Sequence, residues 1–384
     1  MRRRSILKGG LGFAATLGVP SLALGANICP PRVFGQSTKP AEACEKLIPS
    51  WAGISSGSVV QINSSIIQDV VPEPNPGGGY KYIINAWNGG TIVTLTNGEK
   101  YYLVRGGGHS NYAGNETYLY GPLMSENPVW ARDHGPSTPI EAEVLWQSDG
   151  LPSSSHTRNT LVGGPQNELW MFGQGGVWES AGVASNEIMR YEFGVGWDSQ
   201  NSYVDFQGNA RGVFVFNPND GLIWMLGGGL ANANLYSFNP TTAVLTQYSS
   251  TMETGTAVQG AVDPVRNRLY AHDRSRDSQS IFDLSNPNSA PVQSGFTGSL
   301  PPGTSGITYD STRDKFTALG DSPYTTVYEL DPVSLEWSTR TFEGNVSGTL
   351  SSYVGHYSRW QYVPELKGTI FVGAYTSPVA FYKS

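Results

Sequence analysis

Cysteine is nearly absent: Cys29 and Cys44 are the only two in 384 residues, both close behind the N-terminus. Neither has a histidine nearby in sequence, so neither reads as a nucleophile. In an oxidising compartment they are expected to pair, closing a short loop that contributes about 3 kcal/mol in the chain-entropy reading. Two free thiols are the alternative. Charge is also sparse, at 14% of residues, and acids outnumber bases to give a formal net charge of −7. That balance argues against nucleic acid as a partner. No apolar run after residue 26 is long enough to cross a bilayer, which argues against integral membrane contact. Helical periodicity is almost missing. So are HExxH, GxSxG and phosphate-loop patterns, and glycine runs such as LGGGL at 226–230 end strands instead of opening helices. Metalloprotease, serine-hydrolase and dinucleotide-binding readings fall with them.

The apolar stretch that does exist lies at the start. Residues 1–26 read MRRRSILKGGLGFAATLGVPSLALGA: a basic start, RRSILK, a short apolar segment and small residues at Ala23, Gly25 and Ala26. The pattern resembles a twin-arginine export signal, which implies a periplasmic or secreted protein. A retained N-terminal anchor is the alternative, and Ile28 stands where a lipoprotein signal wants a small residue. Loss of Arg2, Arg3, Arg4 and Lys8 with the signal would take the formal charge to −11. An anionic substrate would then have to meet a local basic patch.

Glycine, tryptophan and tyrosine are plentiful, and they recur in order. VFVFNPNDGLIWMLGGG, QGAVDPVRNRLYAHDR, SGITYDSTRDKFTALGD and RWQYVPELKGTIFVGAY each join two short strands through a turn rich in Asp, Asn and Pro. NTLVGGPQNELWMFGQGG is a fifth copy and NGGTIVTLTNGEKYYLVRGGG a looser sixth. Anchored on the second strand at Tyr102, Leu169, Ile223, Leu269, Phe316 and Ile370, the last five lie roughly 46 to 54 residues apart, a spacing of propeller blades. A third and fourth strand follow most copies. The reading is all-β: a six-bladed β-propeller of four-stranded blades over 51–384, preceded by a segment 27–50 carrying the expected Cys29–Cys44 bridge. The last copy lacks an outer strand, which SVVQINSS at 58–65 is expected to supply. Seven blades is the alternative.

With these repeats, the chain resembles secreted kelch-type, galactose-oxidase-like propellers. INAWNGG, LVRGGGHSNYAGNETYLY and SRWQYVPELKGTIFVGAY resemble a bacterial group that includes the short ulvan lyases. Copper radical chemistry is excluded, because it needs a cysteine inside the propeller to cross-link a tyrosine.

Positions that open inner strands converge on a propeller's axis. They hold Asn85 and Trp87, His156 and Arg158, Arg211, and His356 and Arg359. His109 and His272 end second strands, and Tyr112 follows the glycine turn. The resemblance to lyases implies β-elimination on a uronate-containing, acidic polysaccharide, with histidines and a tyrosine moving protons and an arginine neutralising the carboxylate. Carried onto this chain, His109 and His156 are the base or acid candidates, Arg211 the neutraliser and Tyr203 the tyrosine, with Tyr191 competing. Asn85, Trp87, Tyr112, Arg158, His272, His356 and Arg359 are the expected substrate-binding set. For Tyr112, Asn115 and Glu116, turn hydrogen bonding is the competing role. Glu116, Glu143, Glu168, Glu179 and Asp149 leave glycoside hydrolysis by paired carboxylates open. No cofactor is required; no ligand spacing announces structural calcium or zinc. The expected species is a monomer. A non-catalytic propeller that binds glycan or protein is the second reading of function.

Overall fold

The recurrent Asp/Asn turns fold by local hydrogen bonding. Oδ1 of Asp263 accepts the main-chain N–H groups of Val265 and Arg266 at 2.9 and 3.1 Å, and Asn267 closes that turn with φ +53°. Asp310 repeats the device with Thr312 and Arg313 at 2.9 and 3.2 Å, and Asp314 takes φ +55°. Each such turn reverses the chain tightly enough to pair the strands on either side.

The structure, a computed structural model, describes residues 48–199, 211–227, 233–255, 258–303, 305–320, 325–344 and 355–384, with only the main chain of 183 and 184. Cys29, Cys44 and Tyr203 lie outside that set. Among the described residues no helix is long and apolar enough to cross a membrane.

Six antiparallel sheets form a six-bladed β-propeller. Blade 1 comprises Gly90–Thr94, Lys100–Arg105, Thr117–Gly121 and Val129–Arg132; blade 2 comprises Leu161–Gly163, Glu168–Val177, Ser180–Glu192 and Gly196–Trp197. Blade 3 runs Val213–Asn217, Leu222–Leu226, Ala233–Asn239 and Val244–Met252. Blade 4 has Val258–Asp263, Arg268–Asp273 and Ser278–Asp283, and blade 5 has Gly306–Asp310, Lys315–Leu319, Thr326–Leu330 and Trp337–Thr341. Blade 6 is Gln361–Val363, Gly368–Phe371 and Ala380–Lys383, completed by Val59–Gln61 from the other end of the chain. The register there is Val59 opposite Tyr382, Val60 opposite Phe381 and Gln61 opposite Ala380. The six second-strand anchors read from the repeat all fall on second strands.

Blade 4 departs from the four-strand expectation. Its outer position holds one antiparallel bridge, Ile281 to Val292, with both N–H···O bonds at 2.9 Å. The segment beyond, SNPNSAP, is rich in turn formers, and Pro291 has no N–H to extend a ladder.

Aromatic and aliphatic side chains fill the space between neighbouring blades. Phe172 of blade 2 stacks on Phe214 of blade 3 at 5.2 Å, and Tyr270 of blade 4 meets Phe316 of blade 5 at 5.1 Å. Burying a side chain of this size contributes about 2–3 kcal/mol. The six inner strands touch one another in sequence and close the circle from blade 6 back to blade 1. Remote segments of sequence therefore share one axis.

Candidate functional site

Because inner strands run away from one end of the propeller and second strands return to it, that end collects the segments opening the former and closing the latter. A cavity of about 380 Å³ lies there, lined by His109, His156, Arg158, Gln174, Arg211 and residues of the long blade 2 hairpin. Four residues singled out in the sequence thus share one cleft. They come from blades 1, 2 and 3.

The hairpin sets both imidazoles. The main-chain N–H of His109 donates to Gly176 O and that of His156 to Gly175 O, each at 3.1 Å. The two rings lie 4.7 Å apart at 61°, and the ring of Trp87 lies 4.7 Å from that of His156. Two glycines make this approach possible. Gly176 has φ +67°, and a Cβ there would stand 2.9 Å from Cδ2 of His109 and 3.4 Å from Nδ1 of His156. At Gly108, φ +93°, a Cβ would meet Cδ2 of His156 at 2.3 Å. No other residue type fits either position without displacing a ring.

His109 is half-buried and His156 buried. Burial, reinforced by Arg158 and His109, pulls the His156 pKa down to about 3, so this ring is neutral at pH 7. Its Nε2 lies 3.2 Å from Oδ1 of Asn111, a carbonyl oxygen that only accepts. Nε2 therefore carries the hydrogen, and Nδ1 keeps its lone pair.

Arg158 and Arg211 supply the positive charge. Arg211 is exposed at the rim, whereas Arg158 is half-buried. Burial lowers the proton affinity of the Arg158 guanidinium; Tyr357, to whose side chain it is hydrogen-bonded, raises it, and Arg211 lowers it again. Three bulky residues at this end adopt left-handed backbone: Trp87 at φ +56°, Arg158 at +42° and Tyr357 at +45°. Such conformations cost about 1–3 kcal/mol each and persist only where neighbours impose them. Here Arg158 N donates to Trp87 O at 2.7 Å, and Ser358 Oγ donates to Arg158 O at 3.1 Å.

The other expected residues are placed differently. Asn85 ends a short helix, half-buried, its Oδ1 without a hydrogen-bond partner. Tyr112 is buried in blade 1, its hydroxyl donating to the Glu116 carboxylate at 3.1 and 3.3 Å. Burial, then Tyr118 and Glu116, raises the pKa of that phenol, and burial raises that of Glu116. Asn115 Nδ2 donates to Ser137 Oγ and Pro152 O. These three hold the loop that carries His109 and do not line the cleft. His272 is buried in blade 4, opposite Gln259 and away from the cleft; burial lowers its pKa to about 4. His356 is buried. Arg359 is fully buried and spends its guanidinium on main-chain carbonyls: His356 O at 3.1 Å, Val372 O at 3.0 Å, Gly373 O at 3.4 Å and Gly355 O. Tyr191 packs on Phe193 and Trp197 with its hydroxyl on Asp133, outside the cleft.

Sequence reading passed over Asn111, Tyr357 and the hairpin residues Gln174, Ser185 and Asn186. Asn111 stands two residues after His109, and Tyr357 lies between His356 and Arg359, so proximity to the chosen residues was the available signal. Among the described residues no three His, Cys, Asp or Glu side chains gather as a metal site.

No protein-family profile matches the chain, and no curated protein matches it. Among solved structures, a chain of a mitotic checkpoint complex is similar at 12% identity over 93% of this chain and 99% of its own, with a TM-score of 0.44. The structure of YjhT is similar at 11% identity over 78% and 92%, with a TM-score of 0.43, and a chain of a nidogen/laminin complex at 10% identity over 66% and 81%, with a TM-score of 0.41.

Proposed function

We propose that the cleft binds an acidic, uronate-containing polysaccharide and cleaves it by β-elimination, as the resemblance to short ulvan lyases implies for a propeller of kelch type. The observation that carries this reading is the meeting of two imidazoles and two guanidiniums in one cavity. In such a reaction the C5–H bond breaks, a C4=C5 double bond forms, and the C4–O4 bond breaks as O4 takes a proton. The C5 proton becomes acidic only when the carboxylate charge is neutralised.

Arg211, at the exposed rim, is assigned the incoming carboxylate, with Arg158 behind it. His109, the more accessible imidazole, takes the C5 proton, and neutral His156 holds it through ring contact. Tyr203, first expected as the tyrosine, lies outside the described residues. Tyr357, buried and hydrogen-bonded to Arg158, positions that guanidinium, and O4 takes its proton from solvent in the cleft. The arginine-rich start, RRSILK, supports work outside the cytoplasm.

The test is to mix the protein with ulvan, alginate, pectate and glycosaminoglycans and to follow ultraviolet absorbance of the unsaturated uronate. Arg211→Ala should abolish the signal with melting temperature unchanged. Binding without new absorbance would replace catalysis by the glycan-binding reading, and an active Arg211→Ala protein would remove that residue from the assignment.

A further inference from the structure

The ring of His156 is held edge by edge. Its Cδ2–Nε2 edge lies against Gly108, where a Cβ would stand 2.3 and 2.6 Å from those two atoms. Its Nδ1–Cε1 edge lies against Gly176, where a Cβ would stand 3.4 and 3.5 Å from them and 2.9 Å from Cδ2 of His109. The Nδ1 side of one imidazole and the Cδ2 side of the other therefore meet above the same glycine. Trp87 closes a further side, 4.7 Å from the His156 ring and inclined at 45°. Asn111 Oδ1, 3.2 Å from Nε2, is the one side-chain hydrogen-bond partner of this ring among the described residues. Turning the ring over would exchange Nε2 for Cε1 and forfeit that bond.

Asn111 keeps its place without its side chain. Its N–H donates to Gly108 O at 3.1 Å, and its own carbonyl accepts from Gly79 N at 2.8 Å. The amide is left to serve the imidazole. In a neutral imidazole one nitrogen bears a hydrogen and the other a lone pair, and the bond made by the first decides what the second presents. With the hydrogen on Nε2, a lone pair is turned toward His109. With it on Nδ1, the positive end of an N–H dipole would be turned there instead. A fixed dipole matters most where charge develops during a reaction, and Arg158 and Arg211 already oppose positive charge in this cleft.

We infer that Asn111 is a positioning residue: by accepting from Nε2 of His156 it turns the Nδ1 lone pair toward His109 and so favours the imidazolium that His109 becomes on taking the C5 proton. The effect on rate rests on the elimination assigned to the cleft. The hold of Asn111 on the His156 hydrogen does not, and it is measured without substrate.

Nitrogen-15 NMR of the imidazole rings in the intact protein at pH 8 reads the tautomer. The His156 hydrogen should be found on Nε2, shifted downfield and slow to exchange, in wild type and in Asn111→Asp, which keeps an acceptor of the same shape. In Asn111→Leu that resonance should be lost. With a polysaccharide that the protein cleaves, Asn111→Leu should lower kcat about tenfold at unchanged KM, and Asn111→Asp should recover most of the loss. Hydrogen on Nδ1 in wild type, an Nε2–H resonance that survives Asn111→Leu, or a kcat untouched by its disappearance would overturn the inference. A tautomer that follows Asn111 in a protein releasing no unsaturated uronate would strike the elimination reading and leave the lock on His156 standing.

Discussion

Lowering the pH from 7.5 to 5.0 should destabilise this protein through His156. Its imidazole sits between Trp87 and His109, and burial, with Arg158 and His109, holds its pKa near 3 against an ordinary 6.5. The unfolded chain takes up a proton near pH 6.5, and the folded chain does not until about pH 3. Because the folded value is the lower one, the contribution is fully present above pH 6.5 and is lost as the pH falls. At pH 5.0 the loss from this group is about 2 kcal/mol, or about 3 °C in melting temperature for a domain of this size. His272, held near 4 by burial, acts in the same direction, whereas Asp133, raised to about 6 by burial, favours the folded state in acid. Both are common to wild type and His156→Gln, so the comparison isolates one imidazole. Thermal denaturation at the two pH values should show the variant losing about 3 °C less than wild type. Equal losses would mean that His156 is not held neutral, and the proton-transfer assignment would fall with it.

Gly176→Ala adds a Cβ 2.9 Å from the His109 ring at φ +67°; melting should report about 1–2 kcal/mol of destabilisation, with at least tenfold slower release of unsaturated uronate. Arg359→Leu strips the donors from buried carbonyls, so urea denaturation should show a loss of about 3 kcal/mol or more, against less than about 0.5 kcal/mol for Arg211→Ala at the rim. Val59→Asp puts a carboxylate among Leu319, Phe342, Trp360 and Phe371; a urea midpoint unchanged from wild type would contradict the ring closure, since a loss above about 3 kcal/mol is expected.

Much of the architecture was legible because the turn chemistry repeats. Asp263 and Asp310 announce the same reversal wherever they stand, and the counting of second strands needed only Leu269, Phe316 and their equivalents. The closing strand was legible from a deficit, the last copy having too few strands. Blade 4 was misjudged because SNPNSAP supplies a turn and one bridge, not a ladder. At the site, strand order alone brought His109, His156, Arg158 and Arg211 to one end. Depth was not legible. Arg359 opens an inner strand as Arg158 does, yet one guanidinium is walled in by carbonyls and the other faces a cleft. Which of them meets solvent depends on how blade 6 packs on its neighbours, and no single segment encodes that. Tyr357 was hidden for a related reason: its φ of +45° and its hydrogen bond to Arg158, about 200 residues away in sequence, are set by the closed ring and not by its own segment.

The seam in blade 6 also governs when the molecule can be finished. Val59–Gln61 leaves the ribosome ahead of the six blades' own strands, and its mate Ala380–Lys383 is the last strand of the ring to emerge. Throughout synthesis the nascent chain is a horseshoe with two unsatisfied edges, each shaped to fit the other. Complementarity that shuts one ring can also join two, so crowded refolding should yield exchanged dimers in which each copy lends its first strand to the other's final blade.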